Sequence, residues 1–206
     1  PFGCGYCANR RLNQLTDARR VRYRSVGHVV RELGMLLDRY TGVRIVGFHD
    51  DIFGLDKAWL ADFADAYPRD VGLPFWCNLR ISTFRDHDLE TLRDAGCFRV
   101  HIGVESGSDR IRRNVLERPF SDAEIVDGFR AVRDAGLKAL AFFMLGLPDE
   151  TEDDLSQTID LARRIKPDWS VVSLFTPYPG TKLGDAHEAA GEQPFSETYY
   201  DESAVA

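Results

Sequence analysis

The stretch FRVHIGVES, residues 98–106, decides the fold class, because an apolar, β-rich run ends there in the polar pair Glu105 and Ser106. Similar runs recur at residues 43–48, 74–81, 138–145 and 169–175, with segments of helical periodicity between them. Strands that alternate with helices on a period of ~30 residues predict parallel pairing through right-handed crossovers. The chain is therefore expected to be an α/β protein with five visible strands.

The positions of the polar residues favour a barrel over an open sheet. In an open doubly wound sheet the ligand contacts concentrate at one switch point, whereas a barrel gathers every strand end around one mouth. Here polar or turn-forming residues follow all five strands, at Asp50 and Asp51, Asn78 and Arg80, Glu105 and Ser106, residues 146–149 and residues 177–180. With one more strand before residue 1, we expect an incomplete (β/α)6 TIM-like barrel that lacks its first strand in this sequence.

Capping patterns place several helix boundaries. Ser121 with Glu124, and Thr151 with Asp154, form capping boxes whose side chains satisfy free amides at helix starts. Asp86 is predicted to cap the helix that ends at Gly96. Periodicity fades after residue 183, so residues 1–183 are predicted to form the core and residues 184–206 an acidic tail or a linker to a further region.

Composition limits the classes of partner. The 206 residues are 44% hydrophobic and 29% charged, which is typical of one globular domain. A net charge of −7 repels phosphate backbones and disfavours nucleic acid as a main partner. Neither a signal-peptide pattern nor an apolar run near the ~20 residues of a membrane span occurs, and a cytoplasmic protein is expected.

Cys4 and Cys7 form a C-x-x-C motif, which by itself fits a zinc site, a redox dithiol or an iron–sulfur cluster. A thioredoxin-like dithiol domain has fewer parallel units than this chain. Structural zinc needs four ligands, and the sequence has no second C-x-x-C; Cys77 and Cys97 are interpreted as buried apolar thiols. A thiol–disulfide oxidoreductase and a non-enzymatic zinc module both stay open as alternatives.

The segment PFGCGYC, residues 1–7, resembles the last seven positions of the C-x-x-x-C-x-x-C signature of the radical S-adenosylmethionine (radical SAM) superfamily. The missing first cysteine would lie immediately before Pro1, so we expect this sequence to belong to a longer polypeptide. Five further segments carry the resemblance: GFHDDIF (47–53), WCNLR (76–80), GVESGS (103–108), MLGLPDET (144–151) and PYPGT (177–181). Their order is similar to the branch often fused to an N-terminal cobalamin-binding domain.

The resemblance implies an enzyme that uses a 4Fe-4S cluster to cleave S-adenosylmethionine reductively and so begins radical chemistry on a substrate. It further implies a small-molecule substrate, an external electron donor and, as the specific branch, methyl transfer assisted by cobalamin held in a domain outside this sequence. The expected core is then a barrel of the radical SAM type. Cys4 and Cys7 match the second and third cluster ligands, and Tyr6 matches an aromatic residue near the adenine.

Other roles follow from the same resemblance, position by position. Asp50 and Asp51 match an acidic motif that receives the methionine ammonium group. Glu105 and Ser106 suit the ribose hydroxyls or the methionine amine; the alternatives for Glu105 are a surface charge or a pair with Arg110. The remaining two expectations are Arg80, for the cofactor carboxylate or a substrate anion, and Gly146, whose backbone would approach the adenine.

Overall fold

A computed structural model of the chain describes residues 2–15 and 21–190, apart from the side chains of residues 86 and 87. Within these residues five parallel strands form one curled sheet, a half-barrel, in the order in which they occur along the chain. They are β1 (Val46–Phe48), β2 (Phe75–Leu79), β3 (Cys97–Glu105), β4 (Lys138–Leu145) and β5 (Trp169–Leu174). The predicted strands and the incomplete barrel are confirmed, while the sixth strand stays a prediction.

Seven α-helices accompany the strands in the described residues: α1 (Ala8–Leu15), α2 (Val26–Arg39), α3 (Lys57–Asp70), α4 (Asp86–Asp94), α5 (Asp122–Asp134), α6 (Glu152–Ile165) and α7 (Lys182–Ala189). A 3₁₀ turn covers Ile81–Thr83, and a π-helical turn covers Ile111–Val115. The predicted boundary at residue 183 falls inside α7, so the first part of the predicted tail is helical. Residues 191–206 of that tail lie outside the described residues.

An aromatic cluster fills the space between α3 and the first strands. Phe63 and Tyr67 of α3 are fully buried, and the ring of Phe63 stands edge-on to Phe48 and Phe75 at centroid distances of 5.5 and 5.6 Å. Strand β2 explains the pattern, because alternate residues along a strand point to opposite faces. Its residues 75, 77 and 79 are buried against the helices, whereas residues 76 and 78 are half-buried on the other face.

The helix starts follow the predicted caps with one exception. Both capping boxes, Ser121 with Glu124 and Thr151 with Asp154, are confirmed. The prediction that Asp86 caps α4 is wrong, because Asp86 is the first residue within the helix and Arg85 occupies the cap position. The carboxylate of Asp88 instead accepts from the Arg85 amide at 2.7 Å, so the stabilising acidic group lies two residues further along the helix.

The last strand differs from the others in its burial. Every residue of β5 is exposed, including Trp169, Val171 and Leu174, whereas all residues of β3 and all but Lys138 of β4 are buried or half-buried. Strand β5 therefore forms an apolar edge of the half-barrel within the described residues. Among the helices that the structure describes, none is both long and apolar enough to cross a membrane.

The aromatic cluster generates a prediction about stability. Replacing the fully buried Phe63 with Ala (Phe63→Ala) should lower the free energy of unfolding by about 3–5 kcal/mol, since it removes a large ring and leaves a cavity. Urea unfolding followed by circular dichroism measures the change. Ile159→Ala, at an exposed position of α6, is the control and should change stability by about 0.5 kcal/mol or less. Equal effects of the two substitutions would contradict this description of the core.

Candidate functional site

The site is built around an irregularity at the carboxyl end of β3. Residues Gly103 and Glu105 face consecutive residues of β4, so β3 carries one extra residue, a β-bulge. Glu105 has a φ of 70°, a left-handed conformation that side chains other than glycine rarely adopt. Its carboxylate lies over Gly103, where an added Cβ would overlap Oε1. The bulge and the glycine together fix the position of this carboxylate.

Two side chains from distant parts of the chain meet Glu105. The hydroxyl of Tyr6 donates to Glu105 Oε1 at 3.1 Å, and Arg118 Nη1 donates to the Tyr6 hydroxyl, also at 3.1 Å. Arg118 Nη1 lies 4.0 Å from Glu105 Oε1, and Arg118 Nη2 donates to the carbonyl of Gly103 at 2.6 Å. A carboxylate, a phenol and a guanidinium are therefore linked in one buried network.

Burial governs the protonation of this network. Burial raises the pKa of Glu105, and the nearby charge of Arg118 and the hydrogen bond from Tyr6 oppose that rise only in part. Burial also raises the pKa of Tyr6, and the neighbouring Glu105 raises it further. Burial acts to lower the pKa of Arg118, but Tyr6, Glu105 and Cys4 raise it overall, so its positive charge is retained.

Cys4 lies beside the same network. Its side chain is 5% exposed, and its sulfur accepts hydrogen bonds from Arg80 Nη1 at 3.4 Å and Arg118 Nη1 at 3.8 Å. The guanidinium of Arg80 lies over the rings of Phe2 and Phe120, at 4.1 and 4.7 Å from their centroids. Two cationic donors at one sulfur suit a metal-bound thiolate at this position.

The loop that carries Cys4 and Cys7 is fixed through the backbone of Gly5. The Gly5 amide donates to the carbonyl of Leu116 at 3.0 Å, and the Leu183 amide of α7 donates to the carbonyl of Gly5, also at 3.0 Å. A Cβ on Gly5 would lie 3.0 Å from the carbonyl oxygen of Val115, so glycine permits this close approach. Helix α7, placed at the predicted domain boundary, thus helps to position the cysteines.

The acidic pair after β1, Asp50 and Asp51, contacts α1 and β2. Asp51 Oδ2 accepts from Asn9 Nδ2 of α1 at 2.7 Å, and the backbone carbonyl of Asp50 accepts from Asn78 Nδ2 at 2.8 Å. Both aspartates are exposed. Helix α3 is capped by Asp56, which leaves both carboxylates free of a capping role. Their place beside the helix that follows Cys7 fits the predicted role toward the ammonium group, which stays a prediction.

Ser106 and Gly146 lie in different surroundings. Ser106 is fully buried, where its hydroxyl accepts from the Ser108 amide at 3.2 Å and pairs with the Thr158 hydroxyl at 3.4 Å. These contacts fasten α6 to the end of β3. Gly146 has a φ of 75°, and an added Cβ there would meet no atom within 4 Å, so open space borders its backbone. The predicted cofactor roles of both residues stay predictions.

Arg118 is a site residue that the sequence interpretation missed. It is one of four arginines between β3 and α5, and their spacing in the sequence does not show which of them faces the site. In the structure Arg110 pairs with Asp154, Arg112 with Asp122 and Arg113 with Asp109, which leaves Arg118 to turn toward Tyr6. The alternative pairing of Glu105 with Arg110 is therefore wrong, since Asp154 is the carboxylate that binds Arg110.

His101 on β3 is a buried histidine with an unpaired ring nitrogen among the described residues. Its ring is buried and stacks on Trp76 at a centroid distance of 4.3 Å, but Nε2 has no hydrogen-bond partner among the described residues. Burial, followed by the charge of Arg99, lowers the pKa of His101 to about 4. The imidazole is therefore neutral at physiological pH.

The thiols fit a metal cluster in part. Cys77 and Cys97 are buried as predicted, and burial raises the pKa of Cys77 well above its ordinary value. In residues 2–15 and 21–190 no three His, Cys, Asp or Glu side chains are grouped so as to hold a metal ion. Cys4 and Cys7 could supply two thiolates to a cluster, and their role as ligands stays a prediction. The guanidinium donors at Cys4 suit such a ligand.

The burial of Glu105 predicts a pH dependence. A carboxyl group with a raised pKa binds more protons in the folded than in the unfolded chain, so its contribution to stability declines as pH rises from the ordinary value of 4.5 through its folded pKa. Replacing Glu105 with Gln should remove this decline, so the variant should gain free energy of unfolding relative to the parent over that range. Urea unfolding between about pH 4 and pH 8 measures it. Parallel pH profiles of the two proteins would contradict the prediction.

Comparisons with known proteins identify relatives of this chain. The family model of the radical SAM superfamily matches residues 1–162. An uncharacterized methyltransferase of Pyrococcus horikoshii is 30% identical over 184 residues, which cover 89% of this chain and 39% of the relative. A tRNA-2-methylthio-N(6)-dimethylallyladenosine synthase of Anaeromyxobacter sp. (strain K) is 33% identical over 139 residues, which cover 61% of this chain and 30% of that protein.

A solved structure gives the same fold. The radical S-adenosylmethionine methyltransferase TsrM from Kitasatospora setae, with cobalamin and a 4Fe-4S cluster bound, aligns with a TM-score of 0.73. The alignment is 20% identical and covers 98% of this chain and 40% of that one. The chain thus spans about two fifths or less of each of these three proteins. The family description nevertheless covers most of its length, so the chain belongs to the radical SAM superfamily.

Proposed function

We propose that the protein containing this chain is a radical SAM enzyme and that the network of Cys4, Tyr6, Glu105 and Arg118 is its cofactor site. The observation that carries the proposal is the direct contact between the C-x-x-C loop and a buried carboxylate at the mouth of the half-barrel. When bound, a 4Fe-4S cluster supplies the electron for reductive cleavage of S-adenosylmethionine. Cys4 and Cys7 would provide two of its three thiolate ligands.

The other site residues suit the polar groups of S-adenosylmethionine. The carboxylate of Glu105 is an acceptor for the ribose hydroxyls or the methionine amine, and Asp50 and Asp51 are exposed carboxylates available to the ammonium group. Arg118 is a buried, charged donor suited to a carboxylate. Gly146 leaves room for an adenine ring against the backbone.

The same geometry limits the access of water. Cys4 is 5% exposed, and Glu105 and Arg118 are 9% and 7% exposed, so the reacting groups of a bound cofactor would lie in a region of low dielectric. Shielding of this kind suits radical chemistry, because water and other side partners are kept from reactive intermediates. Tyr6 contributes through the hydrogen bond from its hydroxyl to the Glu105 carboxylate.

The specific reaction that we propose is methyl transfer to a small molecule, assisted by cobalamin held in a domain outside this sequence and fed by an external electron donor. The relatives support this branch through the methyltransferase of Pyrococcus horikoshii and the cobalamin-bound TsrM. The net charge of −7 favours a small-molecule substrate over a polyanion, although one relative is named for a tRNA modification.

Cysteine substitutions test the cluster assignment. In the full-length polypeptide, reconstituted under anaerobic conditions, Cys4→Ser and Cys7→Ser should each lose most of the bound iron and sulfide, because each removes a ligand. Cys77→Ala and Cys97→Ala are matched controls at buried thiols outside the site and should keep the cluster. Iron and sulfide analysis with visible absorption spectra measures the outcome.

The same preparations separate the rival functions. A dithiol reductase would show activity without iron, and a zinc module would retain stoichiometric zinc with no redox behaviour. Reductive cleavage of S-adenosylmethionine by the parent protein, lost in Cys4→Ser and retained in Cys77→Ala, is the result that we expect. A parent protein that binds neither cluster nor S-adenosylmethionine would overturn the proposal.

A further inference from the structure

Arg80 turns toward a cysteine sulfur rather than toward open space at the barrel mouth. It follows β2 directly, is 9% exposed, and its Nη1 lies 3.4 Å from Cys4 Sγ. In the described residues, Cys4 is the acceptor of the one side-chain hydrogen bond that the structure gives Arg80. The resemblance predicts that Arg80 binds a cofactor carboxylate or a substrate anion, which stays a prediction, and the contact with Cys4 indicates a further role.

The surroundings hold the guanidinium in place and keep water away. The rings of Phe2 and Phe120 lie 4.1 and 4.7 Å from its Cζ, within the range of cation–π attraction. Its Nε is buried without a hydrogen-bond partner in the described residues. A charged group in such a place acts on its neighbours through a low dielectric, which strengthens its effect on the sulfur.

The backbone of Arg80 is also anchored. Its carbonyl accepts from the amide of Thr83 at 2.9 Å and from the Thr83 hydroxyl at 2.7 Å, which closes the 3₁₀ turn that follows β2. Lys57 Nζ of α3 in turn donates to the carbonyl of Thr83 at 3.0 Å. Arg80 therefore projects from a braced turn, and its side chain needs little reordering to reach Cys4.

Arg118 does not duplicate this arrangement. It lies farther from the sulfur, at 3.8 Å, and its donors are shared with the Tyr6 hydroxyl at 3.1 Å and the Gly103 carbonyl at 2.6 Å. Both arginines contact Cys4, but they do so differently. The donors of Arg118 are divided between Tyr6, Gly103 and Cys4, whereas the side-chain hydrogen bond given for Arg80 in the described residues goes to Cys4.

We propose that Arg80 is a positioning residue that raises the reduction potential of the iron–sulfur cluster through the sulfur of Cys4. The inference rests on the proposed function, since it requires Cys4 to be a cluster ligand. Reduction adds negative charge to the cluster and its sulfurs, so a hydrogen-bond donor and a positive charge at one sulfur stabilise the reduced form more than the oxidised form. Arg80 then acts on the cluster whether or not S-adenosylmethionine is bound.

The test compares Arg80→Met, Arg80→Lys and the parent protein, each full length and reconstituted under anaerobic conditions. The midpoint potential of the cluster is measured by a redox titration monitored by electron paramagnetic resonance, without S-adenosylmethionine. Arg80→Met should lower the potential, and Arg80→Lys should lie between the two, because it keeps the charge and loses the planar donor. If Arg80→Met holds too little iron, Arg80→Gln keeps a neutral donor and gives the same comparison.

Arg99→Met is the matched control. Arg99 also lies over aromatic rings, at 5.4 Å from Trp169 and 6.0 Å from Trp76, and its Nε is likewise buried without a partner in the part of the chain described. It precedes Glu105 by six residues on β3, a distance of about 20 Å along the strand. Its replacement should leave the potential unchanged.

The possible results are distinct. An unchanged potential in Arg80→Met, with a full complement of iron, would overturn the inference and leave the proposed function standing. Weaker binding of S-adenosylmethionine with that same unchanged potential would assign Arg80 to the cofactor carboxylate instead. A parent protein that takes up no cluster would overturn the proposed function, and this inference with it.

Discussion

The left-handed backbone at Glu105 is the constraint on which the site depends. In a regular strand the side chain of Glu105 would follow the alternation between the two faces of the sheet. The bulge and the positive φ instead place its carboxylate over Gly103. Conformations of this kind cost free energy and persist where surrounding contacts hold them. Here Tyr6 and Arg118 supply those contacts, and through Arg118 the carboxylate is connected to the sulfur of Cys4.

Parallel topology explains how residues so far apart in sequence come together. All five strands run in one direction, so the segments that follow them open at one edge of the sheet. The loop after β2 brings Arg80, the end of β3 brings Glu105, and the turn after the π-helical residues brings Arg118. The cysteine loop reaches the same edge because Leu116 and Leu183 bind the backbone of Gly5 from two sides.

Much of the fold was predictable because it depends on local patterns. Apolar runs marked the five strands, and the Ser121 and Thr151 caps marked two helix starts, since both follow from the burial and hydrogen bonding of neighbouring residues. Arg118 and the target of Arg80 were not predictable in this way. Four arginines lie in the segment between β3 and α5, and tertiary contacts decide which partner each one binds. Such contacts produce no periodic pattern in the sequence.

The hydrogen bonds at Gly5 connect the cysteine loop with α7, which lies at the other end of the described chain. Because α7 donates through Leu183 to the loop that carries Cys4 and Cys7, any group that fastens to those thiols also restrains the helix. By thermodynamic linkage, contacts that fix α7 lower the entropic cost of ordering the loop of Cys4 and Cys7. Contacts that fix the loop lower the cost of ordering α7 by the same amount. If Cys4 and Cys7 hold a metal cluster as proposed, binding of the cluster and packing of α7 against the cysteine loop stabilise each other.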